Sequence, residues 1–278
     1  MSTVAEALRE AARRLEAVAD TARLDAELLM AEALGVTRSE LLLRRTGDSA
    51  PQTFDAFVKR RLAYEPVAQI LGRKEFYGRE FLVGRDVLTP RADSETVVAA
   101  ALAACPTADR ILDCGTGSAA LLLTLLAELP GSSGVGIDRS PEALAVAADN
   151  AERLGLAARA ELRLADWRER GWQVGMTAYD LIIANPPYVE AGAELDPSVR
   201  DYEPAGALYA GPEGLDDYRV LIPQLPGLLR PGGTAVLEIG ASQAEAVSTI
   251  AADAGFDSEL RRDLGGRARA LILRKTCD

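Results

Sequence analysis

The segment Asn185-Pro186-Pro187-Tyr188 follows directly on an apolar run, Asp180-Leu181-Ile182-Ile183-Ala184. The run reads as a buried strand. Two successive prolines remove two backbone donors and fix φ. The residue before a proline is held extended. The turn is therefore stiff, and it presents the Asn185 side-chain oxygen beside the Pro186 carbonyl. Two acceptors facing one way suit a planar NH2 group, with Tyr188 covering its face.

Three further signals precede it. In Asp113-Cys114-Gly115-Thr116-Gly117-Ser118-Ala119, a strand runs into a glycine turn that opens a helix. Glycine lets the backbone approach a ligand closely and take positive φ. On its own the signal is weak, because a tight strand-to-helix turn with no ligand also explains it. No Gly-Lys-Ser/Thr follows, so it is not a phosphate loop of the NTPase kind. Asp138 ends the next strand, where a carboxylate can accept two hydrogen bonds from ribose hydroxyls. Asp166-Trp167 follows the third strand, where it can hydrogen-bond and flank an adenine ring, although core packing explains a tryptophan as readily. Together, the glycine turn and the acidic strand end point to a nucleoside ligand.

These residues need a scaffold of strands leading into turns. Arg110–Asp113, Gly134–Asp138, Ala160–Leu164, Asp180–Ala184 and Thr234–Ile239 read as strands, separated by helical stretches. Ser140 with Pro141 opens one helix, and Gly155 and Gly255 close two. Phe256–Leu260 and Ala268–Arg274, joined around Gly265-Gly266, read as an antiparallel edge. The alternation predicts an α/β fold with a doubly wound, mostly parallel sheet, and ligands at the carboxyl ends of its strands. Residues 1–75 read differently, as short helices: Thr3-x-x-Glu6 and Thr37-x-x-Glu40 are capping signatures, Leu24–Leu34 stops at Gly35, and a further helix starts at Pro51. Glu75–Val83 alternates about Gly78 like a small hairpin.

Charge divides the 278 residues the same way. The chain carries 31 basic and 42 acidic side chains, a formal net charge of −11. Residues 1–75 hold 12 of each, so the whole excess falls in the α/β part, with 19 basic against 30 acidic. That balance argues against a protein that lives on phosphate backbones. There is no histidine, which excludes Ser-His-Asp and Cys-His catalysis and His-ligated metals. Cys105, Cys114 and Cys277 are too few and scattered for a disulfide framework or a closed zinc site, so no metal is expected. The opening Met1–Glu6 has no basic start followed by an apolar core, and no run reaches the roughly 18 apolar residues of a membrane span. A soluble cytoplasmic protein is expected.

This constellation resembles the class I S-adenosylmethionine-dependent methyltransferases that carry Asn-Pro-Pro-Tyr and methylate nitrogen attached to an sp2 carbon. The likeness extends through Glu65-Pro66-Val67 with Gly72, Glu75-Phe76-Tyr77-Gly78 and Val87-Leu88-Thr89-Pro90-Arg91. It continues in Tyr202-Glu203-Pro204, Gly214-Leu215-Asp216-Asp217-Tyr218-Arg219, Arg230-Pro231-Gly232-Gly233, Leu237-Glu238-Ile239-Gly240 with Gln243, and Asp263-Leu264-Gly265-Gly266-Arg267. These are similar to the HemK/PrmC family of peptide chain release factor glutamine N5-methyltransferases. The resemblance implies a seven-stranded sheet in residues 90–278, a hairpin linker over 76–89, and a helical substrate-recognition domain over 1–75. It implies S-adenosylmethionine contacts at Asp113, Gly115, Thr116, Gly117, Ser118, Ala119, Asp138, Asp166, Trp167 and Asn185. It implies catalytic roles for Asn185, Pro186 and Tyr188, and substrate contacts along Asn185, Pro186, Pro187 and Tyr188. The implied partner is a class 1 release factor, methylated on the glutamine of its Gly-Gly-Gln loop by a monomer that binds neither DNA nor membrane. A ribosomal protein glutamine methyltransferase shares most of these motifs, and a nucleic-acid adenine methyltransferase shares Asn-Pro-Pro-Tyr. Two positions depart from the pattern. Ala119 stands where the family usually has glycine, which a negative φ would accommodate. Pro90-Arg91-Ala92-Asp93-Ser94-Glu95 lacks one proline.

Overall fold

The computed structural model describes residues 2–176 and 178–276. Met1 and Cys277, used above, lie outside them. The chain forms two compact units. The first comprises Met1–Arg73 together with Leu195–Tyr202, and the second comprises Lys74–Glu194 and Glu203–Asp278.

In the first unit, Thr3 caps the helix Val4–Leu15 through the expected capping box with Glu6, and Gly35, at φ 65°, ends the helix Ala22–Leu34. The third helical stretch begins as one α-turn, Arg38–Glu40, and widens into a π-helix over Leu41–Arg45. Helices Thr53–Leu62 and Val67–Leu71 complete the unit around Val4, Leu15, Leu29, Met30, Leu41 and Val58. A buried pair, Arg61 Nε to Asp25 Oδ2 at 2.8 Å, crosses this core. The segment Leu195–Tyr202 belongs here because Gln69 Nε2 donates to Tyr202 O at 2.8 Å and Tyr202 Oη donates to Ala63 O at 2.7 Å. No local pattern announces that segment.

The second unit opens with a hairpin of β1 (Arg73–Phe76, whose first residue ends the other unit) and β2 (Arg79–Leu82). Expected as a linker, the hairpin is instead tied into the second unit: Asn150 Oδ1 accepts from Leu82 N at 2.7 Å, and Asn150 Nδ2 donates to Leu82 O at 3.1 Å. The main sheet is built from β3 (Arg110–Cys114), β4 (Ser133–Asp138), β5 (Ala160–Leu164), β6 (Tyr179–Ala184), β7 (Leu229–Glu238), β8 (Phe256–Arg262) and β9 (Ala268–Lys275). Its order is β5-β4-β3-β6-β7-β9-β8. The first five of these strands are parallel, and β9 runs antiparallel between β7 and β8.

Alternating side chains feed two cores. Ile111, Leu181 and Ile183 pack under the helices Glu95–Ala104 and Ala120–Glu128, whereas Leu112 and Ile182 face the cluster of Tyr218, Leu221 and Val247. All six residues of β6 are buried, as a central strand covered on both faces requires. The strand order reverses between β3 and β6. In an open α/β sheet this opens a crevice beyond the carboxyl ends of those two strands, where the glycine turn and Asn185 begin. No helix among the described residues is long and apolar enough to cross a membrane.

Candidate active site

The glycine turn leaves β3 with three residues in the left-handed region: Gly115 at φ 77°, Gly117 at 53° and Ala119 at 61°. Gly115 N and Thr116 N donate to Ile137 O at 2.9 and 2.8 Å, which binds the turn to the end of β4. A Cβ on Gly115 would lie 3.1 Å from the Trp167 ring, so only glycine fits there without displacing the indole. The negative φ expected at Ala119 is not observed. The residue heads the helix Ala120–Glu128 with left-handed geometry, and its fully buried methyl joins the apolar cluster of Leu122 and Ala147. An alanine in this region costs roughly 1–2 kcal/mol over glycine.

A cavity of about 250 Å³ opens over this turn. It is lined by Gly115, Thr116, Gly117 and Ser118 of the turn, by Asp138, Asp166 and Trp167, and by Asn185 and Pro187. The site residues missing from its wall are Asp113, Ala119, Pro186 and Tyr188. Asp113 lies beneath the turn, 1% exposed, and its Oδ2 accepts from Thr116 Oγ1 at 2.7 Å. Asp113 Oδ1 meets no hydrogen-bond partner of good geometry among the described residues. Burial, with the Asp138 charge adding to it, pushes the Asp113 carboxyl up to about 7. Its position is that of a support for the loop, below the surface a ligand would touch.

Asp138 takes Gly117 N on Oδ2 at 2.9 Å and Ser140 N on Oδ1 at 3.0 Å. Each oxygen keeps a lone pair for the cavity, which fits a vicinal diol. The Trp167 indole is held by two groups. Its Nε1 donates to Asp217 Oδ1 at 3.1 Å, and its backbone carbonyl accepts from Gln224 Nε2 at 3.0 Å. Asp217 is buried, lines the cavity, and also accepts from Arg168 Nη2 at 2.7 Å. Sequence reasoning gave Asp217 no role. Its signal was only an acid two residues after Leu215, and its partners lie about 50 positions away.

On the same cavity wall, the half-buried Asn185 makes no side-chain hydrogen bond to the described residues, while both prolines after it are buried. Tyr188 packs against the core behind the loop, and burial raises its hydroxyl, with Glu238 adding to the effect. Glu238 ends β7, is buried, and is pushed up to about 7 by burial against the opposing effects of Ser94 and Arg269. The chain beyond Tyr188 is clamped: Val189 N donates to Leu208 O at 2.8 Å and Ala210 N to Val189 O at 2.9 Å. Arg139 and Gly206, both on the cavity wall, meet at 2.8 Å through Arg139 Nη2 and Gly206 O. Arg91, also on the wall, donates to the buried Glu203 at 2.6 Å.

Two family models match the chain: the PrmC N-terminal domain over residues 6–72 and a methyltransferase domain over residues 107–255. A release factor glutamine methyltransferase of Cereibacter sphaeroides is 44% identical over 277 residues, covering 97% of this chain and 98% of its own. The chain belongs to the release factor glutamine methyltransferase family. The family member of Caulobacter vibrioides is 40% identical over 97% of this chain and 96% of its own. Among solved structures, the fold is similar to that of a ribosomal protein L11 methylase from Lactobacillus delbrueckii, at TM-score 0.51 and 18% identity over 69% of this chain and 82% of that one. It is similar too to that of the hMettl16 catalytic domain, at TM-score 0.59 and 16% identity over 76% of this chain and 82% of that one.

Proposed function

We propose that this enzyme transfers a methyl group from S-adenosylmethionine to the side-chain amide nitrogen of the glutamine in the Gly-Gly-Gln loop of class 1 release factors. The observation that carries the reading is Asn185, whose uncommitted carboxamide faces the same cavity as Asp138 and Trp167. The donor set suits the cofactor: a carboxylate with spare lone pairs for the ribose, an indole plane for the adenine, and a glycine turn for close approach. When bound, S-adenosylmethionine supplies a methyl group on a positively charged sulfur.

An amide nitrogen is a weak nucleophile because its lone pair is delocalised into the carbonyl. Asn185 Oδ1, on the cavity wall, would accept one of its N–H bonds, and the carbonyl of Pro186, which lies outside that wall, would accept the other once the substrate enters, turning the nitrogen lone pair toward the cavity. The gain comes from orientation and from removing water, for which buried prolines on a stiff turn are suited. No histidine is needed, because the methylated amide sheds its extra proton readily. Recognition of the protein substrate falls to the helical unit in this reading. Its π-helix exposes Leu42 and Leu43 beside Arg44, while Arg45 pairs with Asp48, leaving a mainly apolar surface a folded partner can cover.

The test is incubation with methyl-labelled cofactor and three acceptors: a class 1 release factor, a ribosomal protein extract and duplex DNA. Label on the release factor, lost when its Gly-Gly-Gln glutamine is replaced, supports the reading. Label only on a ribosomal protein or on DNA overturns the substrate and keeps the chemistry.

A further inference from the structure

Gln243 lies outside the cavity wall, yet all the hydrogen-bonding groups of its carboxamide are engaged. It precedes the helix Ala244–Asp253, and its own carbonyl accepts Val247 N at 2.9 Å, so the side chain starts from a fixed helical turn. Its Nε2 donates to Tyr188 O at 3.0 Å and to Gly214 O at 3.2 Å. Its Oε1 accepts from Gly240 N at 3.1 Å. One carboxamide therefore joins the end of the Asn-Pro-Pro-Tyr turn, the segment leading to Asp217, and the exit of β7. The surroundings are cut to fit it. A Cβ on Gly240 would lie 2.6 Å from Gln243 Oε1, and one on Gly214, at φ 67°, would lie 2.3 Å from Tyr188 O.

We propose that Gln243 is a positioning residue for methyl transfer, acting through the carbonyl of Tyr188. Between that carbonyl and Asn185 stand only Pro186, Pro187 and Tyr188 itself. Proline φ is locked, so the turn behaves as a stiff lever. A shift at the Tyr188 carbonyl then has few torsions in which to be absorbed before it reaches Asn185. The same Nε2 group holds Gly214, three residues before the Asp217 that fixes Trp167. Gln243 thus sets the acceptor side of the cavity relative to the indole.

The proposal rests on the release-factor reading, and the experiment separates the two. Gln243→Glu preserves shape but faces the carbonyls of Tyr188 and Gly214 with a carboxylate oxygen, and Gln243→Met removes the polar bridge without charge. With a release factor as acceptor, both variants should lose about 100-fold in kcat, the cost of misplacing a reactive group by about 1 Å. Their KM for the release factor and their cofactor affinity should stay within about threefold, and Gly214→Ala should give the same pattern. The double variant Gln243→Met/Gly214→Ala should be no worse than the poorer single one, as expected of residues acting through one contact. Hydrogen exchange, which needs no acceptor, should quicken at the Val189 and Ala210 amides in the Gln243 variants. An unchanged kcat in both Gln243 variants, or a loss shared equally by kcat and cofactor affinity, overturns the proposal. So does unchanged exchange at Val189 and Ala210. Failure of the wild-type enzyme to methylate the release factor counts against the substrate reading, and the exchange measurement then decides the role of Gln243.

Discussion

Replacing Asp113 with Asn should stabilise the methyltransferase unit already at pH 5, and by about 2–3 kcal/mol more at pH 8. The Asp113 carboxyl is raised by burial from 3.8 to about 7, so between those values the folded chain holds a proton that the unfolded chain has released. Where the folded state binds more protons, stability falls as pH rises. At pH 5 the folded carboxyl is neutral and its unfolded counterpart is ionised; by pH 8 both are ionised, and the folded state bears the burial cost. Integrated over that interval for one group, the loss is about 2–3 kcal/mol. Asn cannot ionise, and its carboxamide oxygen can keep the Thr116 Oγ1 bond, so the variant escapes this loss. The readout is urea unfolding followed by tryptophan fluorescence at both pH values and constant ionic strength. The chain has two tryptophans, Trp167 and Trp172, and both lie in the second unit, so the signal reports that unit alone. Glu238 and other titrating groups contribute equally to wild type and variant and drop out of the difference. A wild-type and variant pH dependence matching within about 0.5 kcal/mol would refute the reasoning.

Asn185→Ala should retain cofactor binding by calorimetry while kcat falls about 10²–10³-fold, the usual cost of removing a group that acts on the reacting centre; near-wild-type turnover would remove Asn185 from the mechanism. Asp217→Asn sets an NH2 group against Arg168 and weakens the hold on Trp167, so cofactor affinity should drop about tenfold, with under about 2 kcal/mol lost from stability because Arg168 is half-exposed. Ala119→Gly relieves about 1–2 kcal/mol of left-handed strain but surrenders a buried methyl, about 0.8 kcal/mol, and about 0.4–1 kcal/mol of unfolded-chain entropy. Its melting temperature and cofactor affinity should both stay close to wild type; a tenfold change in affinity would mean the methyl reaches the cavity. Leu43→Asp, at a site 81% exposed, should leave the fold intact and raise KM for an intact release factor about tenfold without affecting a short Gly-Gly-Gln peptide. Equal effects on both acceptors would argue against recognition by the helical unit.

The strands and the turns after them were readable because their signals are local. β6 is apolar on both faces, Ser140-Pro141 starts a helix, and glycine marks the turn after β3. The cavity-lining residues of that turn, with Asp138, Trp167 and Asn185, could be named for the same reason: each follows or ends a legible strand. What sequence left hidden depends on contacts between distant positions. Asp217 acquires its role from Trp167 and Arg168, and Gln243 from Tyr188 and Gly214. Backbone angle was equally opaque at Ala119. Nothing in the residue type announces left-handed geometry, and the helix it heads and the turn before it impose that geometry jointly. The helix Val67–Leu71 is five residues long, too short for a periodic signal to emerge.

The assignment of Leu195–Tyr202 to the first unit bears on how the chain is made. A ribosome delivers Gln69 and Ala63 early, but their partner Tyr202 is added 129 residues after Arg73. At about 5–20 residues per second, that is a wait of roughly 6–26 s. During the interval the helices can close over Leu29 and Met30, while the seat for Tyr202 stands open to water and to chaperones. Rare codons or pauses between positions 74 and 202 would lengthen the exposure. The helical unit is completed only after β6, the strand that leads into Asn185, has been synthesised.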